Sequence, residues 1–236
     1  MAAMADEIVS GLIPVAPPDP LDLPARERAR SGMSVAVLAF VGFLGLFAAV
    51  KAGRSERIDA AITLRMQARR HPSLARLMEA CSWPGFPPQS RIIPPLIIGS
   101  LLLSRHRTEA GFQALAWGTA GLSEVLKSVT RRNRPLPEQV RVVVAPLGGS
   151  SFPSGHVLTY MGTYGFLAYL VHTLVGPPLI RLPAVLFLLA LLGGVGPSRI
   201  YQGHHWPTDV AASYLLGISY LIVLEAIYRR LRAQPR

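Results

Sequence analysis

Six stretches of the sequence approach the length that an α-helix needs to cross a bilayer and carry few or no charges. Backbone groups inside a hydrocarbon core must be hydrogen-bonded internally, so stretches of this kind restrict a chain to a helical bundle in a membrane. In order they cover 33–50, 92–104, 110–129, the residues after 156 to 175, 179–195 and 207–228. The second is short and contains Pro94 and Pro95. The sequence therefore predicts an all-α, multi-pass membrane protein with six transmembrane helices.

The segments that flank the predicted spans differ from them in composition. Residues 1–31 are rich in proline and charge, which predicts a disordered tail before one helical domain over 32–230 and a short basic tail over 231–236. A late signal sequence cleaved near 49–53 is the alternative to an uncleaved first span. Between the first two spans, apolar residues at helical intervals predict interfacial amphipathic helices. These residues are Ile58, Ile62, Met66, Leu74, Leu77 and Met78.

The chain is strongly basic on an apolar background. Lys and Arg number 24 against 13 Asp and Glu, and 50% of the residues are hydrophobic. A nucleic-acid groove requires a polar basic face, whereas an apolar chain of this charge suits anionic headgroups or a phosphorylated lipid. We therefore expect membrane lipids and a lipid phosphate as partners, and no nucleic acid. The terminal cluster of Arg229, Arg230 and Arg232 indicates that both termini of the six-helix bundle face the cytoplasm.

Three polar segments interrupt the apolar sequence at the ends of predicted spans. They are Lys127–Pro135, Phe152–His156 and Ser198–Asp209. Two membrane crossings separate the loop after the third span from the loop after the fifth, so both loops lie on one face. The middle segment opens the fourth span on that same face. With the termini inside, the sequence predicts that the three segments meet at the outer surface of the membrane.

The residues of these segments have the chemistry of a phosphate site. Arginine supplies planar paired donors to phosphate oxygens, and lysine supplies a mobile positive charge. A glycine at a helix start, Gly155, lets an anion approach free backbone amides. His205 and Asp209 are four residues apart at the start of a helix, so the carboxylate can hold one ring nitrogen while the other attacks. No carboxylate-rich cluster suited to magnesium accompanies them in the sequence, so we expect neither a metal nor another cofactor.

The three segments contain the motifs K-x6-RP, PSGH and SR-x5-H-x3-D without a departure in residue or spacing. In this the chain resembles the PAP2 superfamily, the type 2 phosphatidic acid phosphatases and their relatives. The resemblance implies that His205 is the nucleophile and forms a phosphohistidine, that Asp209 orients it, and that His156 is the general acid. It also implies a group that holds the phosphoryl oxygens: Lys127, Arg134, Ser154, the Gly155 amide and Arg199.

By the same resemblance, the reaction is hydrolysis of a lipid phosphate or diphosphate. The Ala-, Arg- and Pro-rich composition indicates a GC-rich bacterium and hence its cytoplasmic membrane, and the topology places the reaction at the outer face. Usual substrates in such a family are phosphatidic acid, phosphatidylglycerol phosphate and polyprenyl diphosphates such as undecaprenyl diphosphate. Family frequency gives the carrier diphosphate a slight preference, with no residue behind it.

Other activities are compatible with parts of this pattern. Vanadium-dependent haloperoxidases have similar motifs but are soluble, so the predicted spans disfavour them. A lipid phosphotransferase would use the same phosphohistidine with a different acceptor. A non-catalytic lipid-phosphate binding or transport protein would keep only the pocket, which the presence of both histidines and Asp209 disfavours.

Four further residues, within or near the motifs, are expected to have structural roles. We expect His204 at the rim of the site or behind His205. Glu124, three residues before Lys127 on a helix, is expected to pair with that lysine. Arg131 and Arg132 are expected to anchor a helix end at the lipid headgroups.

Overall fold

The computed structural model describes the backbone of residues 25–143 and 148–233, and the side chains from Ser31 onward. All regular structure in those ranges is helical, as the sequence predicts. The helices are α1 (Ala25–Lys51), α2 (Glu56–Gln67), α3 (Pro72–Ser82), α4 (Gln89–Leu103), α5 (Arg107–Trp117), α6 (Thr119–Thr130), α7 (Gly155–Tyr160), α8 (Phe166–Leu174), α9 (Pro178–Tyr201) and α10 (Pro207–Arg232). A 3₁₀ turn, Trp83–Gly85, follows α3, and a π-helical turn, Met161–Gly165, joins α7 to α8.

Each predicted span falls on a helix, but the helices differ in length. Among the described residues, three helices are long and apolar enough to cross a membrane: Ser31–Lys51, Pro178–Tyr201 and Pro207–Arg232. The second predicted span is the shorter apolar helix α4. The third is divided between α5 and α6, and the fourth between α7 and α8. Residues 1–24 of the predicted tail lie outside the described residues, whereas its last residues belong to α1.

The two divided helices pack against each other at their interruptions. A Cβ atom built on Gly162, in the π-helical turn, would overlap the carbonyl oxygen of Ala116 and the side chain of Thr119. Gln113 on α5 donates its amide to the carbonyl oxygen of Thr163 at 2.8 Å. A π-helical turn leaves carbonyl groups without their regular α-helical partners, and a neighbouring side chain can satisfy them. The close crossing therefore depends on a glycine and on one buried amide.

Aromatic rings of α1 hold the segment that precedes α7. Phe152 is fully buried, and its ring centroid lies 6.2 Å from that of Phe43 and 5.9 Å from that of Phe47. Contacts of this geometry add to the free energy gained by burying the rings. Helix α10 packs along α1 and also contacts α7. The start of α7 is thus fixed between the two long apolar helices.

Helix α2 turns its polar side inward. Residues spaced four apart lie on one face of a helix, and here that face is buried although its side chains are polar: Ser55, Asp59, Thr63 and Gln67. The apolar side chains of Ile58 and Ile62 are exposed instead. The amide of Gln67 donates to the carbonyl oxygens of Arg141 and Tyr201, which ties α2 to the end of α9. This orientation brings buried polar groups towards the loops that contain the motifs.

Candidate active site

The three motif segments surround one cavity of about 580 Å³. Five predicted site residues line it: Lys127, Arg134, Gly155, His156 and His205. The other three, Ser154, Arg199 and Asp209, have no exposed surface. The cavity also extends along α4, the end of α5 and α6, where its lining includes Arg91, Trp117 and Glu124. Residues that are far apart in the sequence therefore form a single concave site with several positive charges.

The ring of His205 is held by a backbone carbonyl. Its Nδ1 lies 2.7 Å from the carbonyl oxygen of Ser151, which can only accept, so Nδ1 carries the proton and donates. Nε2 is then an acceptor, and the Arg134 guanidinium lies 3.3 Å from it. Asp209 Oδ2 is 3.6 Å from Nδ1 and is not the nearest acceptor. Ser151, rather than Asp209 as the sequence spacing suggested, makes the hydrogen bond that selects this tautomer.

The carboxylate of Asp209 is fully buried and has a donor on each oxygen. Its Oδ2 accepts from the backbone N–H of Trp206 at 2.8 Å, and its Oδ1 accepts from Arg132 Nη1. A buried charge is tolerated when it is hydrogen-bonded and paired in this way. Asp209 is therefore rigidly placed one helical turn from His205.

Burial and positive neighbours keep the two adjacent histidines neutral. Burial lowers the pKa of His205 well below its usual value, and the positive charges of Arg134 and Arg199 lower it further. Burial and Arg199 lower the pKa of His204 to about 3. At neutral pH the Nε2 atom of His205 therefore carries no proton and keeps its lone pair, as a nucleophile requires.

Lys127 approaches the backbone at the start of α7. A Cβ atom on Gly155 would stand 3.0 Å from Lys127 Nζ, which is closer than such contacts usually are. Glycine at this position lets the ammonium group approach the first amides of the helix. Lys127 Nζ also contacts Glu124 Oε1 at 2.6 Å, as the spacing predicts, and the Glu124 side chain is 72% exposed. Because an exposed ion pair contributes little free energy, Lys127 can exchange it for a phosphate oxygen.

Two buried hydroxyl groups beside Lys127 have no hydrogen-bond partner in the part of the chain that the structure describes. Ser154 immediately precedes α7, yet its Oγ has no hydrogen-bond partner among the described residues and does not cap the helix. Ser123 lies one helical turn before Lys127, and its Oγ is likewise buried and without a partner there. Leaving a buried hydroxyl unpaired costs free energy. Both are therefore suited to donate to an oxygen of a bound anion.

Arg199 lies outside the lining of the cavity and contacts other buried groups. Its guanidinium donates to Nδ1 of His204 and, at 2.9 Å, to the side-chain oxygen of Gln202. It also lies 4.9 Å from the centre of the Phe86 ring, within the range of a cation–π contact. His204 is only 1% exposed, so it is a buried partner of Arg199 rather than a rim residue.

His156 faces the cavity from the first turn of α7. Its ring stands edge-on to Phe86, with 4.7 Å between the centroids. Its Nε2 is buried and has no partner among the described residues. A Cβ atom on Gly85 would overlap the His156 ring, so the 3₁₀ turn holds that ring by close backbone contact. The free nitrogen is available to a substrate oxygen.

Arg132 differs from its expected role. It was predicted to anchor a helix end at the headgroups, but its side chain is only 11% exposed and pairs with Asp59 and Asp209. The prediction was wrong because nothing in the local sequence shows that Asp59, 73 residues away, supplies a buried partner. The polar stripe of α2 was the available indication. Arg131 is exposed, and its Nε donates to the carbonyl oxygen of Ser128 at 3.2 Å.

In the part of the chain that the structure describes, no three His, Cys, Asp or Glu side chains group closely enough to hold a metal ion. Positive charge at the cavity comes instead from lysine and arginine side chains.

A family model and several curated phosphatases are similar to this chain. The family model of the PAP2 superfamily matches residues 111–233. Phosphatidylglycerophosphatase B of Bacillus subtilis is 31% identical over 206 residues, which cover 83% of this chain and 96% of the relative. Decaprenylphosphoryl-5-phosphoribose phosphatase of Mycobacterium tuberculosis is 31% identical over 134 residues, 56% of this chain and 68% of that protein.

A solved structure has the same fold. The crystal structure of a transmembrane PAP2 type phosphatidylglycerolphosphate phosphatase from Bacillus subtilis aligns with a TM-score of 0.74 and 26% identity. The alignment covers 85% of this chain and 98% of that one. The likeness therefore extends well beyond the motif segments.

Proposed function

Because the chain belongs to the PAP2 superfamily and is a membrane phosphatase of lipid phosphates, we propose that it releases phosphate through a phosphohistidine formed on His205. One observation carries this proposal. Nε2 of His205 faces a cavity that it shares with Lys127 and Arg134, while Nδ1 donates to the carbonyl oxygen of Ser151 at 2.7 Å. A neutral imidazole held in this tautomer, beside two positive charges, is arranged to attack a phosphoryl group.

In the first step, the lone pair of His205 Nε2 forms a bond to phosphorus as the bond from phosphorus to the leaving oxygen breaks. Positive charge develops on the imidazole, and the buried carboxylate of Asp209, 3.6 Å from Nδ1, compensates it. His156 donates a proton to the leaving oxygen. Negative charge on the phosphoryl oxygens is balanced by Lys127 and Arg134.

A wider set of groups completes the phosphoryl site in this proposal. The Ser154 hydroxyl and the Gly155 amide donate to phosphoryl oxygens, and Arg199 supplies positive charge from behind the cavity wall. The unpartnered state of the Ser154 hydroxyl among the described residues supports its role. Arg199 does not line the cavity, so it acts on the site only through its positive charge and its contact with His204.

In the second step, neutral His156 accepts a proton from a water molecule, and the water oxygen bonds to phosphorus. The bond between phosphorus and His205 Nε2 breaks, inorganic phosphate leaves, and both histidines return to their starting protonation states. A single residue thus acts first as acid and then as base. A lipid acceptor in place of water would give phosphotransfer through the same intermediate.

We propose a lipid phosphate or diphosphate of the cytoplasmic membrane as the substrate, with its headgroup in the cavity and its tail in the bilayer. A relative that aligns with 83% of this chain is a phosphatidylglycerophosphatase, which supports phosphatidylglycerol phosphate as the substrate. The match to a decaprenylphosphoryl-5-phosphoribose phosphatase supports a polyprenyl substrate, the class to which undecaprenyl diphosphate belongs. Phosphatidic acid is the third candidate.

The membrane arrangement belongs to the same proposal. We place six crossings in one domain over residues 32–230, on α1, α4, α5 with α6, α7 with α8, α9 and α10, with α2 and α3 at the interface. The outward apolar side chains of Ile58 and Ile62 support contact between α2 and lipid. The termini lie in the cytoplasm and the cavity opens to the outer face.

The test is phosphate release by the purified protein in detergent with excess chelator. The panel contains phosphatidic acid, phosphatidylglycerol phosphate and undecaprenyl diphosphate, and each is given to the wild type and to His205→Ala. We expect turnover of at least one lipid and its loss in the variant. An acid-labile phosphoprotein should form with labelled substrate in the wild type alone.

The matched control is His172→Ala, which removes an exposed imidazole from α8, away from the cavity lining. It should leave turnover unchanged. Full activity of His205→Ala, or failure of every lipid, would remove the proposed mechanism. Transfer of label to an added lipid alcohol instead of water would replace hydrolysis by phosphotransfer.

A further inference from the structure

A buried network connects α2 to the carboxylate of Asp209. Asp59 on α2 has no exposed surface, and its Oδ2 accepts from Arg132 Nη2 at 2.6 Å. The second terminal nitrogen of that guanidinium, Nη1, donates to Asp209 Oδ1. One arginine is therefore shared between two buried carboxylates.

A threonine at the start of α10 closes the network. The Thr208 N–H donates to Asp59 Oδ1 at 2.9 Å, and the Thr208 hydroxyl donates to Asp59 Oδ2 at 2.8 Å. Arg132 Nη1 also donates to the Thr208 hydroxyl oxygen at 2.8 Å, and Arg132 Nη2 to Ser55 Oγ at 2.9 Å. Both oxygens of Asp59 have donors, so the first turn of α10 cannot move relative to α2 without breaking several buried hydrogen bonds.

The sharing of Arg132 has an electrostatic consequence. A guanidinium paired with Asp209 alone would neutralise that carboxylate, and the remaining field at His205 would be small. Asp59 balances part of the Arg132 charge, so the three groups together have a net charge of −1. Asp209 consequently remains negative where its Oδ2 faces His205 Nδ1 at 3.6 Å. Low-dielectric surroundings strengthen this effect.

We propose that Asp59 is a positioning residue for the reaction, which acts through Arg132 to fix the place and the effective charge of Asp209. Asp59 does not line the cavity and therefore does not contact substrate. It lies outside residues 111–233, which the family model matches. The inference rests on the proposed roles of His205 and Asp209, and it adds α2 to the parts of the chain that set the rate.

The experiment compares Asp59→Asn, Arg132→Gln and the double variant with the wild type, using phosphatidylglycerol phosphate in detergent micelles. We expect kcat to fall about tenfold to a hundredfold in each single variant with KM nearly unchanged, because the nucleophile is misplaced and substrate contacts remain. Glu56→Gln is the control, since it removes the same charge from an exposed position on α2.

The pH profile separates this role from a merely structural one. Loss of the Asp59 charge favours neutral His205 and should move the acid limb of kcat/KM to lower pH. Loss of the Arg132 charge favours protonated His205 and should move the limb to higher pH. The double variant removes opposite charges, so its limb should return towards the wild-type position. A structural ion pair alone would not produce opposite shifts.

The double variant also guards against unfolding, because it keeps the net charge of the buried groups at −1, as in the wild type, and size-exclusion chromatography checks that it is folded. A folded double variant whose kcat is within about twofold of the wild type would overturn the proposal. Shifts of the two single variants in the same direction would also do so. His205→Ala in the same assay separates the two proposals: if it is inactive while Asp59→Asn is normal, only the role of Asp59 fails.

Discussion

At the scale of single residues, the reactivity of His205 is set by three groups that meet it from different segments. The Ser151 carbonyl accepts from Nδ1, the Arg134 guanidinium lies 3.3 Å from Nε2, and the Asp209 carboxylate stands 3.6 Å from Nδ1. Burial lowers the pKa of His205, with further lowering by Arg134. In the proposed mechanism the neutral form of His205 is the reactive one, so burial and the Arg134 charge together extend the pH range of activity towards acidic pH.

Replacing Arg134 should therefore move the pH profile. In Arg134→Gln a positive charge beside His205 is lost, which raises the pKa of His205 towards its usual value. The acid limb of kcat/KM should then move to higher pH. The measurement is kcat/KM from pH 4 to pH 9 on one lipid phosphate.

Two further variants show whether charge is the cause. Arg134→Lys keeps the charge and should keep the limb near its wild-type position, although the height of the profile falls because a bidentate donor is lost. Arg131→Gln removes an exposed neighbouring charge and should leave the limb in place. An unmoved limb in Arg134→Gln would show that the charge of Arg134 does not contribute to the low pKa of His205.

At the scale of elements, the interruptions of two helices position the site. Lys127 belongs to α6, after the break at Gly118, and His156 belongs to α7, before the π-helical turn. The breaks let two helices approach where a Cβ atom on Gly162 would overlap α5 and α6. Packing at this crossing therefore determines the distance between the proposed phosphate-binding lysine and the proposed general acid.

The replacement Gly162→Ala should destabilise the protein and lower its activity together. Overpacking typically costs about 1–3 kcal/mol, more than the roughly 1 kcal/mol that alanine gains over glycine as a helix former. We expect a lower Tm in detergent and a lower kcat. Gly193→Ala on α9, where an added Cβ atom meets nothing within 4 Å, should raise or preserve Tm. Equal Tm changes at the two positions would contradict a tight crossing.

At the scale of the whole molecule, α2 provides an unexpected connection. It is outside the three motifs, yet its buried polar stripe contacts the Arg132 loop, the end of α9 and the start of α10. Its exposed apolar side suits the edge of a bilayer. In the proposed topology, a single short helix thus joins the membrane surface to the buried carboxylates of the site.

The proposed topology predicts which loops are accessible from each side. With Cys81 replaced by serine, cysteine placed at Glu138 should react with an impermeant maleimide in cells whose outer layer is permeable. Cysteine placed at Ser104 should react only after the cytoplasmic membrane is opened. Both positions are exposed, so the structure itself does not hinder labelling. Labelling of both from outside, or of neither, would contradict the proposed crossing on α5 with α6.

The sequence by itself determined the helical class, the positions of the apolar helices and the family, because apolar windows and spaced motifs are local properties of the chain. It also predicted the pairing of Glu124 with Lys127, which follows from helical spacing. Those features require no knowledge of which distant segments meet.

Only the tertiary structure decided how the site residues are held. The hydrogen bond from His205 to Ser151 spans 54 residues and that from Arg132 to Asp59 spans 73, and no local pattern specifies either. The inward polar face of α2 and the divided helices follow from packing against neighbours, which overrides what each segment would favour alone. The sequence motifs indicated the chemistry of the site, whereas its geometry depends on long-range contacts between buried polar groups.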